Sequence, residues 1–319
     1  VKTKTAYKIG ALALALLVCL FVFEKLFDFG VKHNLNLKLS YVSSKKIDAQ
    51  LLVLGPCEPL WMVSPEILTK ETGLSCYNLA NSHSDFADNY LHLNVYLKNN
   101  AAPKYMLMYV TPESFDTNYN TFYSYRFAGF MNDELVSKTV ADCDKSFYKW
   151  SKIPFMKYGY YSHQTFFMAL QGWKHFMSKK QNPYYPDGFE PPAKIVWDNH
   201  YDNLKKLYPK GYNLNWSESR KKYLEKIIAL CKEKNIEVIF YESPILKEVS
   251  DYQYNRILGL EKINGIASAN KLSFLQFENV AWAKDRKFFI SPMVTTLQGS
   301  YLFSIMLGKA LERAKSPAI

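Results

Sequence analysis

The chain has 319 residues, 40 of them Lys or Arg against 29 Asp or Glu, for a formal net charge of +11; 48% are hydrophobic and 16% aromatic. That length buries a full core in one large domain or two modest ones. The basic residues stand in short separated clusters, among them Lys45–Lys46, Lys179–Lys180, Lys205–Lys206 and Lys221–Lys222, which excludes a nucleic-acid arm and leaves no nucleic acid among the expected partners.

Ile9 to Phe23 carry no charge and follow Lys2, Lys4 and Lys8, the flank expected on the cytoplasmic side of a membrane. Residues 1–30 are therefore expected to be a signal anchor, single-pass in the cytoplasmic membrane, with the bulk of the chain extracytoplasmic, in a periplasm or at the cell surface. The run is short for a spanning helix, but Tyr7 and Lys8 at one end and Lys25, Leu26, Phe27 and Phe29 at the other extend it by snorkelling and interfacial anchoring. A cleaved signal peptide shares the charged start and the apolar run, yet no small-x-small pattern follows Phe23. A buried core helix of a cytosolic domain is the plainest alternative.

From Gln50 onward short apolar runs alternate with amphipathic stretches, the pattern of a parallel sheet covered by helices. Strands are predicted at Leu51–Leu54, Cys76–Leu79, Tyr105–Val110, Glu237–Tyr241 and Leu272–Phe277, each a compact run suited to burial on both faces. Helices are predicted over Ser64–Thr72, closed by Gly73, then Asp85–Lys98, Ser217–Lys234 with Ser217 as N-cap, Asp251–Ala267 and Leu297–Arg313. Tyr223, Leu224, Ile227, Ile228 and Cys231 form the inner stripe of the third. The expected fold is an α/β three-layer sandwich with a central parallel sheet of about five strands, spanning residues 31–319.

An insertion at about 117–211 interrupts this pattern. It is rich in Tyr, Phe and Trp, with a Pro/Gly stretch at Pro183–Pro192, and is expected to hold two or three short helices followed by a loop returning to the sheet. Tyr158, Tyr160, Tyr161, Trp173, Tyr184 and Tyr185 can line a carbohydrate groove, or simply pack the insertion against the sheet or the membrane interface. The diffuse positive charge suits anionic headgroups or an acidic envelope polymer, and equally a solvated surface.

The cysteines are Cys19, Cys57, Cys76, Cys143 and Cys231. No CxxC pair or ligand cluster occurs, so no metal or other cofactor is expected; a dense disulfide framework is not expected either, and a single Cys57–Cys76 bridge is geometrically possible. His83 lies in the polar turn Asn78-Leu-Ala-Asn-Ser-His-Ser-Asp85, after the second strand and thus at the same sheet edge as Cys57. A Cys57–His83 pair with Asp85 nearby is one reading; a solvent-facing or helix-capping His is the other. His163, in the aromatic insertion, is a weaker candidate, and His33, His92, His175 and His200 show no spacing that argues for metal or catalysis.

The most informative stretch is Leu52-Val-Leu-Gly55-Pro56-Cys57-Glu58, a buried strand breaking at a glycine into a turn that carries a nucleophile. With Thr72–Ala80, Tyr105–Thr111 followed by Pro112-Glu113-Ser114-Phe115, and Ile236–Tyr241 followed by Glu242-Ser243-Pro244, it resembles the SGNH, or GDSL-like, hydrolase superfamily. The similarity is greatest to the membrane-anchored bacterial branch of the D-alanine transfer protein and alginate acetylation proteins, and covers about residues 50–116 and 215–313. The resemblance places Cys57 at the nucleophile position and Gly55 and Asn78 in the turns around the oxyanion.

The family also places a catalytic Asp and His, three residues apart, before a Gly and the final helix. Aligned on Gly299, those positions hold Ser291 and Val294. A nucleophile without a positioned base loses the proton acceptor that acyl transfer needs, although a thiol of pKa about 8.5 is a few per cent ionised at neutral pH unaided. A charged Glu58 raises that pKa rather than lowering it. Cys57 is thus read either as a structural cysteine or as a catalytic thiol served by His83.

The resemblance implies a catalytically inactive, membrane-anchored binding or assembly component in envelope polysaccharide or polymer modification or export. Its partners would be the membrane, such a polymer, and a membrane-bound acyltransferase or other envelope protein. The alternatives are an active acyltransferase or esterase using Cys57, and an architectural subunit of a larger envelope complex.

Overall fold

The computed structural model describes residues 2–117, 122–161, 163–178, 186–192 and 200–315. Lys179–Lys180, Tyr184 and Tyr185 lie outside them. The chain forms two compact units, one of Val1–Lys45 with Phe122–Asn182, the other of Lys46–Thr121 with Pro183–Ile319.

The second unit is built on five parallel strands, β1 (Leu51–Leu54), β2 (Cys76–Asn78), β3 (Tyr105–Tyr109), β4 (Glu237–Tyr241) and β5 (Ser273–Leu275), in the order β2-β1-β3-β4-β5. Every residue of β1 and β3 is buried, because helices cover both faces and no alternation with solvent is needed. Leu51, Val53, Leu107, Tyr109, Ile239 and Tyr241 face a core shared with Leu68, Phe303 and Leu307, supplied by helices Pro65–Thr72 and Leu297–Lys315. On the other face Met106 meets Cys231 of helix Glu218–Glu233, sulfur to sulfur 3.8 Å, and helix Phe86–Asn99 packs beside that helix. Burial of each such side chain contributes roughly 1.5–3 kcal/mol. The architecture is therefore α/β, a parallel five-stranded sheet between helical layers.

Helix starts follow the sequence closely. Ser64 Oγ accepts from Ile67 N and Asp85 Oδ1 from Asp88 N at 2.9 Å, each satisfying an orphan donor of the first turn. Ser217 stands at the N-cap position of the 218–233 helix but makes no capping bond; its hydroxyl meets Ser219 Oγ at 2.7 Å. The helix expected from Asp251 begins at Arg256. Asn255, just before it, instead binds Leu214 through both side-chain atoms, Oδ1 to N at 2.7 Å and Nδ2 to O at 2.8 Å, so the preceding residues serve a loop contact and not a helix. Within the 186–192 segment, Asp187 O accepts from Asn78 N at 2.8 Å, which returns the chain to the free side of β2. Two short antiparallel strands, β6 (Phe289–Ser291) and β7 (Val294–Thr295), precede the final helix.

In the first unit, helix Lys2–Lys32 packs along helix His163–Ser178 and against the 3₁₀ turns Ser124–Phe130. Gly172 is needed there: a Cβ on it would fall 1.6 Å from Gly30 O, so the two backbones touch. Short helices Glu134–Cys143, Lys145–Trp150 and Met156–Tyr160 complete the unit. Residues Lys4–Lys32 are long and apolar enough to cross a membrane, and none of their most apolar window is buried. Toward the end of that helix, Glu24 and Asp28 meet the buried Lys157 at 2.9 and 2.7 Å.

The turn after β1 depends on Gly55, whose φ of +154° is a conformation that side-chain-bearing residues avoid. A Cβ there would lie 2.7 Å from both Pro59 Cγ and Tyr109 Cβ. Combining backbone strain with overpacking, Gly55→Ala is expected to cost about 2–4 kcal/mol, read as a lower urea midpoint with an unchanged slope.

Candidate functional site at the carboxyl edge of the sheet

The chain leaves β1 for β2 on one side, and β3 returns to the other side of β1. At that reversal the loops following β1 and β3 diverge, which makes the crevice outside their carboxyl ends the default ligand site of an open parallel sheet. Gly55, Pro56 and Cys57 follow β1 here, and Thr111 to Ser114 follow β3.

Cys57 opens the short helix Cys57–Met62 and is 8% exposed. Its sulfur accepts the backbone N–H of His83 at 3.0 Å and lies 3.3 Å from Ser82 Oγ. The β2 loop therefore reaches the thiol, as the shared sheet edge predicts, and the bond it makes from residue 83 is from the backbone. His83 has an exposed side chain and a left-handed φ of +51°. All five cysteines are unbridged, so Cys57 and Cys76 are not joined.

Gly55 O accepts from Asn81 N at 3.0 Å and Ser84 Oγ at 2.9 Å, which locks the β2 loop onto the β1 turn. Asn78 ends β2, where its Nδ2 donates to Pro59 O at 2.7 Å and Val63 O at 2.9 Å while Oδ1 accepts Ala80 N at 3.0 Å. Both amide hydrogens thus hold the 57–62 helix in place. In this arrangement Asn78 positions the turn and has no hydrogen left for an oxyanion.

β7 packs against that helix, so the closing loop does come to the Cys57 turn. It brings Val294 there as a 6% exposed member of the apolar core, and Ser291 as a half-buried residue facing it across the β6–β7 pairing. Thr295 is fully buried, and its Oγ1 has no hydrogen-bond partner.

Sequence reasoning passed over two groups. His92, 1% exposed, sets Nδ1 2.9 Å from Asp88 Oδ1, while its Nε2 is 3.5 Å from Asn81 Nδ2. Nδ1 also meets Asp88 O at 3.0 Å, so the ring is held against the residue one turn earlier. The Asp88–His92 spacing of one helical turn was a legible signal. The second group is Arg256, whose guanidinium joins Glu113 after β3, Glu242 after β4 at 3.3 Å and Glu278 after β5 at 3.3 Å. Glu113, Glu242 and Arg256 are each at most 3% exposed. These four residues are far apart in sequence, and only the sheet's order gathers them.

Burial pushes the Glu242 carboxyl up to about 8, against the pull of Arg256. Burial likewise raises Glu58 to about 7, with its own backbone hydrogen bond opposing and the charge of Glu113 adding. Asp85 rises to about 6 through burial, opposed by its bond from Asp88. The hollow at the crevice, lined by Pro56, Ser84, Asp85, Asn89, Tyr109 and Ser114 among others, has a volume of about 10 Å³, room for about one water.

The first unit's aromatic residues divide: Tyr160, Phe166 and Phe167 are exposed, while others are held by polar contacts. Tyr158 is buried and donates to Asp28 at 2.6 Å, Tyr161 donates to Asp144 at 2.9 Å, and Trp173 Nε1 donates to Leu26 O at 2.9 Å. Among the described residues no group of three His, Cys, Asp or Glu is placed to hold a metal ion.

No protein-family model matches this sequence, and no curated protein matches it. Among solved structures, a GDSL-like lipase from Bacteroides thetaiotaomicron VPI-5482 is similar at 10% identity, over 83% of this chain and 89% of that chain, with a TM-score of 0.38.

Two outcomes follow from the site. Glu58 holds its proton in the folded state up to about pH 7, against an ordinary value of 4.5. Its stabilising contribution is then complete below pH 4.5 and lost as pH rises to 7. Glu58→Gln should match wild type near pH 5 and exceed it by about 2–3 kcal/mol at pH 8, measured by urea unfolding at both values. Native alkylation with iodoacetamide, mapped by peptide mass, should modify exposed Cys143 first and Cys57 only as the protein unfolds.

Proposed function

We propose that this chain is an SGNH-like protein held at a membrane by its N-terminal helix, and that it serves as a binding or assembly component in modifying or exporting an envelope polysaccharide or related polymer. The bulk of the chain then lies outside the cytoplasmic membrane. The observation that carries the inactive reading is Val294, packed in the core beside the helix that begins with Cys57. The loop that would deliver an acid–base pair to a nucleophile delivers a valine and a serine.

The envelope setting, and a membrane-bound acyltransferase as partner, rest on the resemblance of the Gly55-Pro-Cys57, Asn78 and Pro112 turns to that branch of the superfamily. All three turns lie at the carboxyl edge of one parallel sheet.

A second reading is favoured by one contact. Cys57 Sγ accepts a backbone N–H and meets a hydroxyl, a pair that stabilises a thiolate and so favours acyl transfer through the thiol. Turnover of p-nitrophenyl acetate by the detergent-solubilised chain separates the two. The binding reading expects wild type and Cys57→Ala to release p-nitrophenol at the same background rate. Wild-type turnover well above background, abolished by Cys57→Ala and reduced by His83→Ala, establishes the enzyme instead.

A further inference from the structure

The uncharged run from Ile9 to Phe23 is 15 residues long, about 22 Å of helix at ~1.5 Å per residue, whereas a bilayer core of ~30 Å needs about 20. Counted from Ile9, a span of that length ends at Asp28 and takes in Glu24 and Asp28, which lipid alone solvates poorly.

The structure deals with both acids inside the first unit. Lys157, 1% exposed, meets Glu24 and Asp28; Phe155 N donates to Glu24 Oε2 at 3.1 Å, and Tyr158 donates to Asp28. The residues that bring these partners are themselves apolar on the outside. Phe155 and Phe166 pack their rings on Phe27 at 5.0 and 5.1 Å, at the level of those two acids. Around them Ile153 is 50% exposed and Phe167 55%, with Met156 and Phe166 also exposed. Exposed Lys149, Trp150 and Lys152 stand just before this group in sequence. Exposed apolar side chains of this number, continuous with an apolar helix and bordered by lysine and tryptophan, are what an interfacial anchor presents.

We propose that Ile153, Met156, Phe166 and Phe167 form a collar that sits in the bilayer leaflet at the C-terminal end of the N-terminal helix, completing a span that the helix is too short to make by itself. The occupant of this surface is lipid. The collar's inner face neutralises Glu24 and Asp28 through Lys157, and its outer face supplies the apolar contact those two positions lack. The inference rests on the N-terminal helix being inserted in a membrane, and it adds a role for a segment more than a hundred residues away in sequence.

The test uses the full chain in phosphatidylcholine–phosphatidylglycerol vesicles containing a doxyl-labelled acyl chain, with Cys19, Cys76 and Cys143 replaced by serine. A bimane label is placed singly by Leu16→Cys, Ile153→Cys, Phe166→Cys or Lys138→Cys; residue 138 is exposed on the polar 134–143 helix. The collar requires that labels at 16, 153 and 166 all lose fluorescence to the doxyl lipid while the label at 138 keeps its own. Quenching at 16 without quenching at 153 and 166 overturns the collar and leaves the anchor standing; a blue-shifted but unquenched emission at 153 and 166 assigns the surface to a protein partner or a second copy, which also overturns it. Absence of quenching at 16 removes the anchor reading, and the collar with it.

Discussion

One backbone unit, Gly55, holds the candidate site together. Its carbonyl receives the β2 loop through Asn81 N and Ser84 Oγ, and the space where its side chain would be is filled by Pro59 and Tyr109. The end of β1, the loop after β2, the end of β3 and the start of the 57–62 helix thus meet at a position that tolerates no Cβ. Cys57 stands at the lip of the crevice because this turn is so tight. The β2 loop bonds the thiol because Gly55 has already drawn that loop in.

The other half of the same edge is closed by charge. Arg256 ties the loops after β3, β4 and β5 to one guanidinium through Glu113, Glu242 and Glu278. Glu113 Oε2 and Glu242 Oε1 are buried with no hydrogen-bond partner, so the cluster is not fully compensated, and the raised Glu242 carboxyl is the expected response to that burial. Such a network is a poor source of net stability but a strong constraint on geometry, since removing one partner leaves the others buried and unpaired. Gly55 thus fixes the β1 side of this edge and Arg256 the side of β3, β4 and β5.

How legible this was depended on the range of the interaction. β1 and β4 fall on the residues expected, and helices 65–72 and 86–99 start one residue after the expected Ser64 and Asp85, which serve as their caps, because apolar runs and caps are local signals. The Asp251–Ala267 helix was expected too early because the claim of Leu214 on Asn255 comes from another loop. The compact unit joining residues 1–45 to 122–182 also escapes a reading by segments. Gly30 and Gly172 carry no individual signal, and only their meeting explains both. The turns after β1 and β2, with Gly55, Cys57 and Asn78, were visible as turns at strand ends. The Arg256 cluster was not, since burial and not spacing gives it its character, and His92 offered only its one-turn spacing from Asp88.

Val294 is held by apolar packing and not by polar contacts. A histidine there would need a polar surrounding and a partner for its second nitrogen, yet the position is enclosed in the same apolar core as Met62 and Phe303. The neighbouring Thr295 hydroxyl is already buried without a partner, so the hairpin offers no polar shell into which an imidazole would fit. On the facing side, the thiol takes the His83 N–H and contacts Ser82, and the Asn78 amide is used up on two carbonyls. These groups are thus engaged in joining one loop to the next. Placing an acid–base pair in this hairpin would require repacking the core behind Val294 as well as exchanging two residues.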